Sequence, residues 1–144
     1  GSGTHLYGRR MYETMRFWEH DSPEIAGSDA MADYAQVWRA ADKVVYSRTL
    51  AEPVTARTRI EREFVPDAVR AMKEAADSDL SIGGPGIAAH ALRAGLVDEL
   101  GLFVAPVVVG GGTRWLPEDL RVDLELVDER RFESGFAYLR YRVA

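Results

Sequence analysis

The sequence predicts an α/β fold in three layers, with helices on both faces of a mostly parallel central sheet and an antiparallel hairpin at the C-terminal end. Three observations predict it. Short β-forming runs end in glycine and pass straight into stretches of helical periodicity, at Gly8 and again at Gly83-Gly84. A β-branched run, Lys43-Val44-Val45-Tyr46, follows an amphipathic helical pattern. Two β-forming runs, Val122 to Phe132 and Phe136 to Val143, flank Glu133-Ser134-Gly135 and read as the hairpin. With 144 residues and 47% apolar content, the chain fits one domain, residues 1–144, around one core.

The elements follow in order. Thr4-His5-Leu6-Tyr7 is extended in character, Gly8 breaks it, and Met11, Met15 and Trp18 then recur at helical spacing. Asp21 to Ser28 reads as a loop, with Pro23 and Gly27 in it. Met31, Tyr34, Ala35 and Trp38 fall at i, i+3, i+4 and i+7, an amphipathic helix capped by Ser28 or Asp29. Lys43 to Ser47 suits a buried strand, which puts Ser47-Arg48-Thr49 at its C-terminal end. Thr58 to Glu61 is a minor strand, and Pro66 opens a helix whose buried stripe is Val69, Met72 and Ala76. Leu80-Ser81-Ile82 runs through Gly83-Gly84-Pro85-Gly86 into a helix carrying Ile87, Ala91 and Leu92 and ending at Gly95. Glu99 to Val109, nearly all apolar, reads as one buried strand with Pro106 at a break near its end, closed by Gly110-Gly111-Gly112.

Composition narrows the function. Eighteen Lys+Arg against 23 Asp+Glu give a net charge of -5, and no stretch clusters positive charge as a nucleic-acid site requires. No apolar run reaches the roughly 20 residues that span a bilayer, so a cytoplasmic location is the expectation. With no cysteine there is no disulfide, thiolate metal site or cysteine nucleophile, and His5, His20 and His90 have no metal-ligand spacing. No Ser-His-Asp arrangement follows from spacing either.

Open sheets of this kind bind ligands at the carboxyl ends of their strands, where Gly8, Ser47 and Gly83-Gly84 all fall. Glycines between strand and helix let the backbone approach a phosphate while the helix dipole favours its charge. The spacing in Gly83-Gly84-Pro85-Gly86 is neither the dinucleotide fingerprint nor a P-loop, and a plain tight turn explains it equally well. Arg9 and Arg10 open a helix, where cations oppose the dipole and an anionic ligand would reverse the penalty; a solvated arginine pair is the alternative. Trp18, Trp38, Phe17 and Tyr34 read as core, and Gly110 to Thr113 as a loop leaving a strand.

The block Leu6-Tyr7-Gly8-Arg9-Arg10-Met11-Tyr12-Glu13 resembles the strand-to-helix segment of dihydrofolate-reductase-like proteins. Lys43 to Leu50 is similar to that family's second nucleotide-contacting strand, and Ser81 to Gly86 to its glycine-pair motif. Asp98-Glu99-Leu100 through Pro106 to Thr113 resembles the long strand and glycine exit of the branch typified by the C-terminal reductase domain of bacterial riboflavin biosynthesis. The four blocks keep the family's order over most of the chain. The resemblance implies NADPH as cofactor, with Gly8, Arg9 and Arg10 near its phosphates, Ser47, Arg48 and Thr49 near the adenosine 2′-phosphate, and Gly83, Gly84, Gly86 and Ile87 along the pyrophosphate. It also implies a cis bond between Gly83 and Gly84, and hydride transfer to a pterin-like, pyrimidine-like or related small heterocycle, as in a dihydrofolate reductase or a 5-amino-6-(5-phosphoribosylamino)uracil reductase. Family members have a strand and a helix before the Leu-Tyr-Gly-Arg block, whereas here the block begins almost at residue 1. Either the chain is a truncated or processed piece, or it is a shortened domain that covers the gap by pairing with another copy in a homo-oligomer, a dimer; the alternative function is a domain that binds nucleotide or another small ligand without turnover.

Overall fold

The computed structural model describes residues 3–144. The chain runs β1 (Thr4–Gly8), α1 (Arg9–Met15), a 3-10 turn (Arg16–Glu19), α2 (Pro23–Ala26), α3 (Asp29–Ala40), β2 (Asp42–Tyr46), β3 (Thr58–Glu61), α4 (Pro66–Ala75), β4 (Leu80–Gly83), α5 (Pro85–Arg93), β5 (Glu99–Val104), β6 (Leu124–Arg131) and β7 (Ala137–Val143). Four parallel strands form one sheet in the order β3-β2-β1-β4, and β5-β7-β6 form a second, antiparallel sheet. The α/β class is as the sequence predicts. The antiparallel part is more than a terminal hairpin, because β5 pairs with β7 across the register Glu99↔Arg142 to Val104↔Ala137.

Local chemistry accounts for the helix starts. Ser28 Oγ accepts the Met31 amide at 3.3 Å and caps α3, and Ser22 Oγ caps α2 in the same way through Ile25. The segment read as a loop therefore holds a short helix, with Pro23 in its first turn where a missing N–H costs nothing. Pro66 and Pro85 open α4 and α5 likewise. Ala76, expected on the buried stripe of α4, lies one residue beyond the helix, while Val69 is buried and Met72 packs on the core.

The parallel sheet is covered on both faces, and its two faces are different. Leu6 and Val44 pack with Val69, Ala91 and Leu96 toward α4 and α5. Tyr7 and Val45 pack with Tyr12 and Trp38 toward α1 and α3. Period-two alternation on β1 and β2 sends neighbouring residues into opposite layers. On the second face Trp38, wholly buried, donates from Nε1 to Tyr7 Oη at 3.1 Å. Burial pushes the Tyr7 hydroxyl up to about 12, with the Trp38 hydrogen bond partly offsetting it. Lys43 is buried beside them, donating to the Trp38 carbonyl at 3.1 Å with its ammonium 4.2 Å above the indole ring, and desolvation lowers its pKa. Phe17 and Tyr34, expected in the core, instead stay 43% and 41% exposed; Trp18 stacks edge-on against both.

The expected single strand from Glu99 to Val109 is corrected. Pairing stops at Val104, immediately before Ala105-Pro106, and Val107, Val108 and Val109 lie outside the ladder on the surface. Proline has no amide to give a ladder, and no neighbouring strand accepts the continuation.

The Trp38–Tyr7 hydrogen bond yields a test by urea unfolding. Trp38→Phe should cost about 2–4 kcal/mol, combining a smaller ring with a stranded Tyr7 hydroxyl. Adding Tyr7→Phe to that variant should cost less than Tyr7→Phe does alone, because the stranded group is then gone.

Candidate functional site at the strand ends

Register brings the candidate residues together. Gly8 stands opposite Tyr46, and Tyr7 opposite Gly83, so Gly8, the residue after β2 and the residue after β4 share one end of the sheet. The approach is close: a Cβ on Gly84 would sit 3.8 Å from the Gly8 amide nitrogen and 3.5 Å from Met11 Cβ. Gly84 has φ +105°, a conformation that L side chains rarely adopt, and it carries the turn from β4 into α5. The Gly83–Gly84 bond is trans, which corrects the cis expectation. The positive φ alone reverses the chain here.

Around this turn the backbone offers donors and space. α5 starts at Pro85, which has no N–H, and Ala88 donates to the Gly84 carbonyl, so the amides of Gly86 and Ile87 are the free donors of its first turn. Nothing lies within 4 Å of a Cβ built on Gly86 or on Gly8. Two converging helix starts with open space above their glycines make a concavity in which an anion meets N–H groups and positive dipole ends. Ile87 is buried, and its Cγ2 would lie 3.7 Å from a Cβ built on Gly84, so its side chain packs beneath the turn. Arg9 and Arg10 are exposed at the start of α1, with Arg9 only loosely paired to Glu13 at 3.9 Å.

The third loop is built by Ser47. Its buried Oγ accepts the amides of Thr49 at 3.2 Å and Leu50 at 3.0 Å, folding residues 47–50 into a tight turn. This internal role occupies the Ser47 hydroxyl. Arg48 by contrast is 81% exposed at its side chain, with Glu63 at 3.8 Å as its only ion-pair partner among the described residues. The sequence reading missed two residues that hold the loop. Arg62 donates to the carbonyls of Ser47 at 3.0 Å, Leu50 and Ala51, clamping the turn to the end of β3. Tyr12, wholly buried, accepts the Val54 amide at 3.0 Å and bonds Thr55 Oγ1 at 2.8 Å, tying the loop to α1. Arg62 lies in the charge run Glu61-Arg62-Glu63, where no local pattern separates it from a solvated arginine.

Two clefts flank these loops. One of about 290 Å³ is lined by Tyr46, Arg59, Glu61, Glu63, Val65, Ala68 and Met72, beside the Arg48–Glu63 pair. The other, about 430 Å³, is lined by Glu13, Arg16, Phe17, Glu19, His20, Val54 and Thr55. The glycines line neither of these two clefts. Gly110, Gly111 and Gly112 are exposed with no atom near a built Cβ, and no described contact joins them to it.

The opposite end of the sheet holds a polar row. Lys43, His5 and Ser81 are in register across β2, β1 and β4, and His5 Nδ1 and Ser81 Oγ are 2.5 Å apart. Burial lowers the His5 pKa, Lys43 adds to it, and the buried Nε2 has no partner. No candidate ligand group reaches this row.

Residues 2–138 match the model of the RibD C-terminal domain, and the chain belongs to that family. The uncharacterized protein YyaP of Bacillus subtilis (strain 168) is 27% identical over 140 residues, covering 96% of this chain and 72% of its own length. Among solved structures, a protein assigned to riboflavin biosynthesis in Shewanella sp. PV-4 superposes with a TM-score of 0.74 at 15% identity, covering 99% of this chain and 75% of that one. A pyrimidine reductase-like protein from Corynebacterium diphtheriae gives 0.64 at 14% identity, with 99% and 76% covered. At these identities the structural likeness establishes the dihydrofolate-reductase-like fold.

Two tests follow. Gly84→Ala should destabilise the chain by about 1–3 kcal/mol through its positive φ, whereas Gly86→Ala, helical and in open space, should be neutral or stabilise by about 0.5–1 kcal/mol in urea melts. For His5, the folded value lies below the ordinary 6.5, so the unfolded chain binds the proton more readily. Stability is then lost as pH falls below about 6.5. The urea midpoint should drop more between pH 7.5 and 5.5 in the wild type than in His5→Gln; an equal drop removes His5 as the cause.

Proposed function

We propose that this domain binds NADPH across the strand-end concavity and reduces a pterin-like, pyrimidine-like or related small heterocycle. The single observation that carries the reading is the convergence of Gly84, Gly8 and the free amides of Gly86 and Ile87 at one end of a parallel sheet. Membership of the RibD C-terminal domain family supports it.

The residues present fit a dinucleotide. Gly86 and Ile87 would donate their amides to the pyrophosphate, and Gly8 and Gly84, having no side chain, let it approach the backbone. Arg9 and Arg10 would meet phosphate charge, which offsets their unfavourable place at a helix start. Arg48 would reach the 2′-phosphate, held out by the turn that Ser47 and Arg62 build. Ser47 then serves as a scaffold for Arg48 and Thr49 and makes no ligand contact through its hydroxyl. The bound cofactor supplies the hydride, and the protein supplies position.

Binding without turnover is the second reading. It is favoured by the makeup of the concavity: its converging groups are backbone amides and arginines, none of which releases a proton near neutral pH. Calorimetric titration with NADPH and NADH separates these ideas. NADPH should bind more tightly, and Arg48→Ala should weaken NADPH by about three- to tenfold while leaving NADH nearly unchanged. Equal weakening of both would remove the 2′-phosphate assignment, and a folded chain that binds neither would end the nucleotide reading. Oxidation of NADPH with any heterocycle of these classes would decide for a reductase.

A further inference from the structure

We propose, resting on the NADPH reading above, that Glu63 is a specificity-determining residue that opposes Arg48, so that the site separates a 2′-phosphate from a 2′-hydroxyl only in part. In dinucleotide sites a carboxylate suits a ribose whose 2′-hydroxyl is free, because it accepts the hydroxyl proton, and an arginine suits a 2′-phosphate. This chain carries one of each at the same loop end, with Arg48 Nη2 3.8 Å from Glu63 Oε1.

Two bonds outside the pair set these residues side by side. The Ser47 amide donates to the Glu61 carbonyl at 3.0 Å, which continues the β2-β3 pairing one step past Tyr46. Arg62 donates back to the Ser47 carbonyl at 3.0 Å. Residues 48 and 63 therefore leave the sheet together, each one position beyond a held residue. The pair itself is loose, since 3.8 Å is too long for a hydrogen bond and the side chains are 81% and 71% exposed. An ion pair of that kind adds little to stability and leaves the guanidinium donors and the carboxylate open to a ligand.

The neighbouring charges are engaged elsewhere. Arg59 pairs with Glu61 at 3.3 Å, and Arg62 holds the carbonyls of Ser47, Leu50 and Ala51. Among the described residues Arg48 and Glu63 have only each other as an ion-pair partner. Glu63 also lines the cleft of about 290 Å³ with Tyr46 and Val65, where a ligand has room to enter. A 2′-phosphate drawn to Arg48 must approach that carboxylate, and like charges brought close together repel. A 2′-hydroxyl meets an acceptor there instead. The preference of the site is then a difference between one attraction and one repulsion, and Glu63 sets the second.

Calorimetric titration of Glu63→Gln with NADPH and NADH tests this, because the substitution keeps the shape and removes the charge. NADPH should bind about three- to tenfold more tightly than to the wild type, and NADH about two- to threefold more weakly. The gain for NADPH should shrink between about 0.05 and 0.5 M salt, as exposed charges are screened. Glu63→Asp, with the charge retained, should keep the wild-type order of the two nucleotides and show no gain for NADPH. Glu133→Gln, in the turn between β6 and β7, makes the same change in net charge and should leave the ratio of the two dissociation constants as it is. A ratio that Glu63→Gln leaves unchanged, or moves toward NADH, overturns the assignment while nucleotide binding stands. An equal shift from Glu133→Gln overturns it too, since net charge would then suffice. A folded wild-type chain that binds neither nucleotide ends the NADPH reading and the role of Glu63 with it.

Discussion

The hydrogen bond from Trp38 to Tyr7 fixes how α3 lies on the parallel sheet, and the rest of that layer is arranged around it. It is buried, so leaving either partner unmade would cost more than the bond gains. Lys43 closes the same corner with a hydrogen bond to the Trp38 carbonyl and a position over its ring. β1 is thereby held from above by Trp38 and Tyr12 and from both edges by β2 and β4. Gly8 inherits this rigidity, because it is the residue at which the held strand becomes a helix.

The strand-end concavity therefore owes its shape to groups that never face it. Met11 packs beside Gly84, Tyr12 ties down the loop after β2, and Arg62 clamps the turn that presents Arg48. The surface is made mostly of backbone amides, with exposed arginines at its margin. Such a surface recognises charge and shape with little need for particular side chains. The polar row of Lys43, His5 and Ser81 at the far end of the same strands is structural and dry by comparison.

Much of this was legible in the residues. Glycines after Tyr7 and Ile82 marked the carboxyl ends of β1 and β4, since a strand leading through glycine into a helical stripe has few other folds available. Ser28 announced the start of α3, and Trp38 and Val69 fell on buried faces as their periodicity required. What periodicity could not show was long-range. The role of Ser47 depends on Arg62, fifteen residues away, and that of Tyr12 on Thr55. Apolar content likewise made 99–109 read as a buried strand. Burial depends on a neighbour, and sequence pattern cannot say whether one is present. The dihydrofolate-reductase-like resemblance located the same glycines independently, yet misjudged the Gly83–Gly84 bond, where a positive φ does the work instead.

The division into two sheets has a consequence for how the molecule breathes. Among the described residues no ladder hydrogen bond crosses from β4 to β5, and the segment joining the sheets is held by buried Leu96 in the core and by Lys73, which donates to the Leu96 carbonyl and to Asp98. The parallel sheet, with two packed layers, has a cooperative unit of its own. The antiparallel sheet, which adds no residue to either buried core cluster among the described residues, opens at lower free energy, so its amides exchange with solvent while those of β1 and β2 remain protected. Proteolytic nicking would begin on the C-terminal side of Asp98, and the glycine-bearing end of the parallel sheet would outlast it.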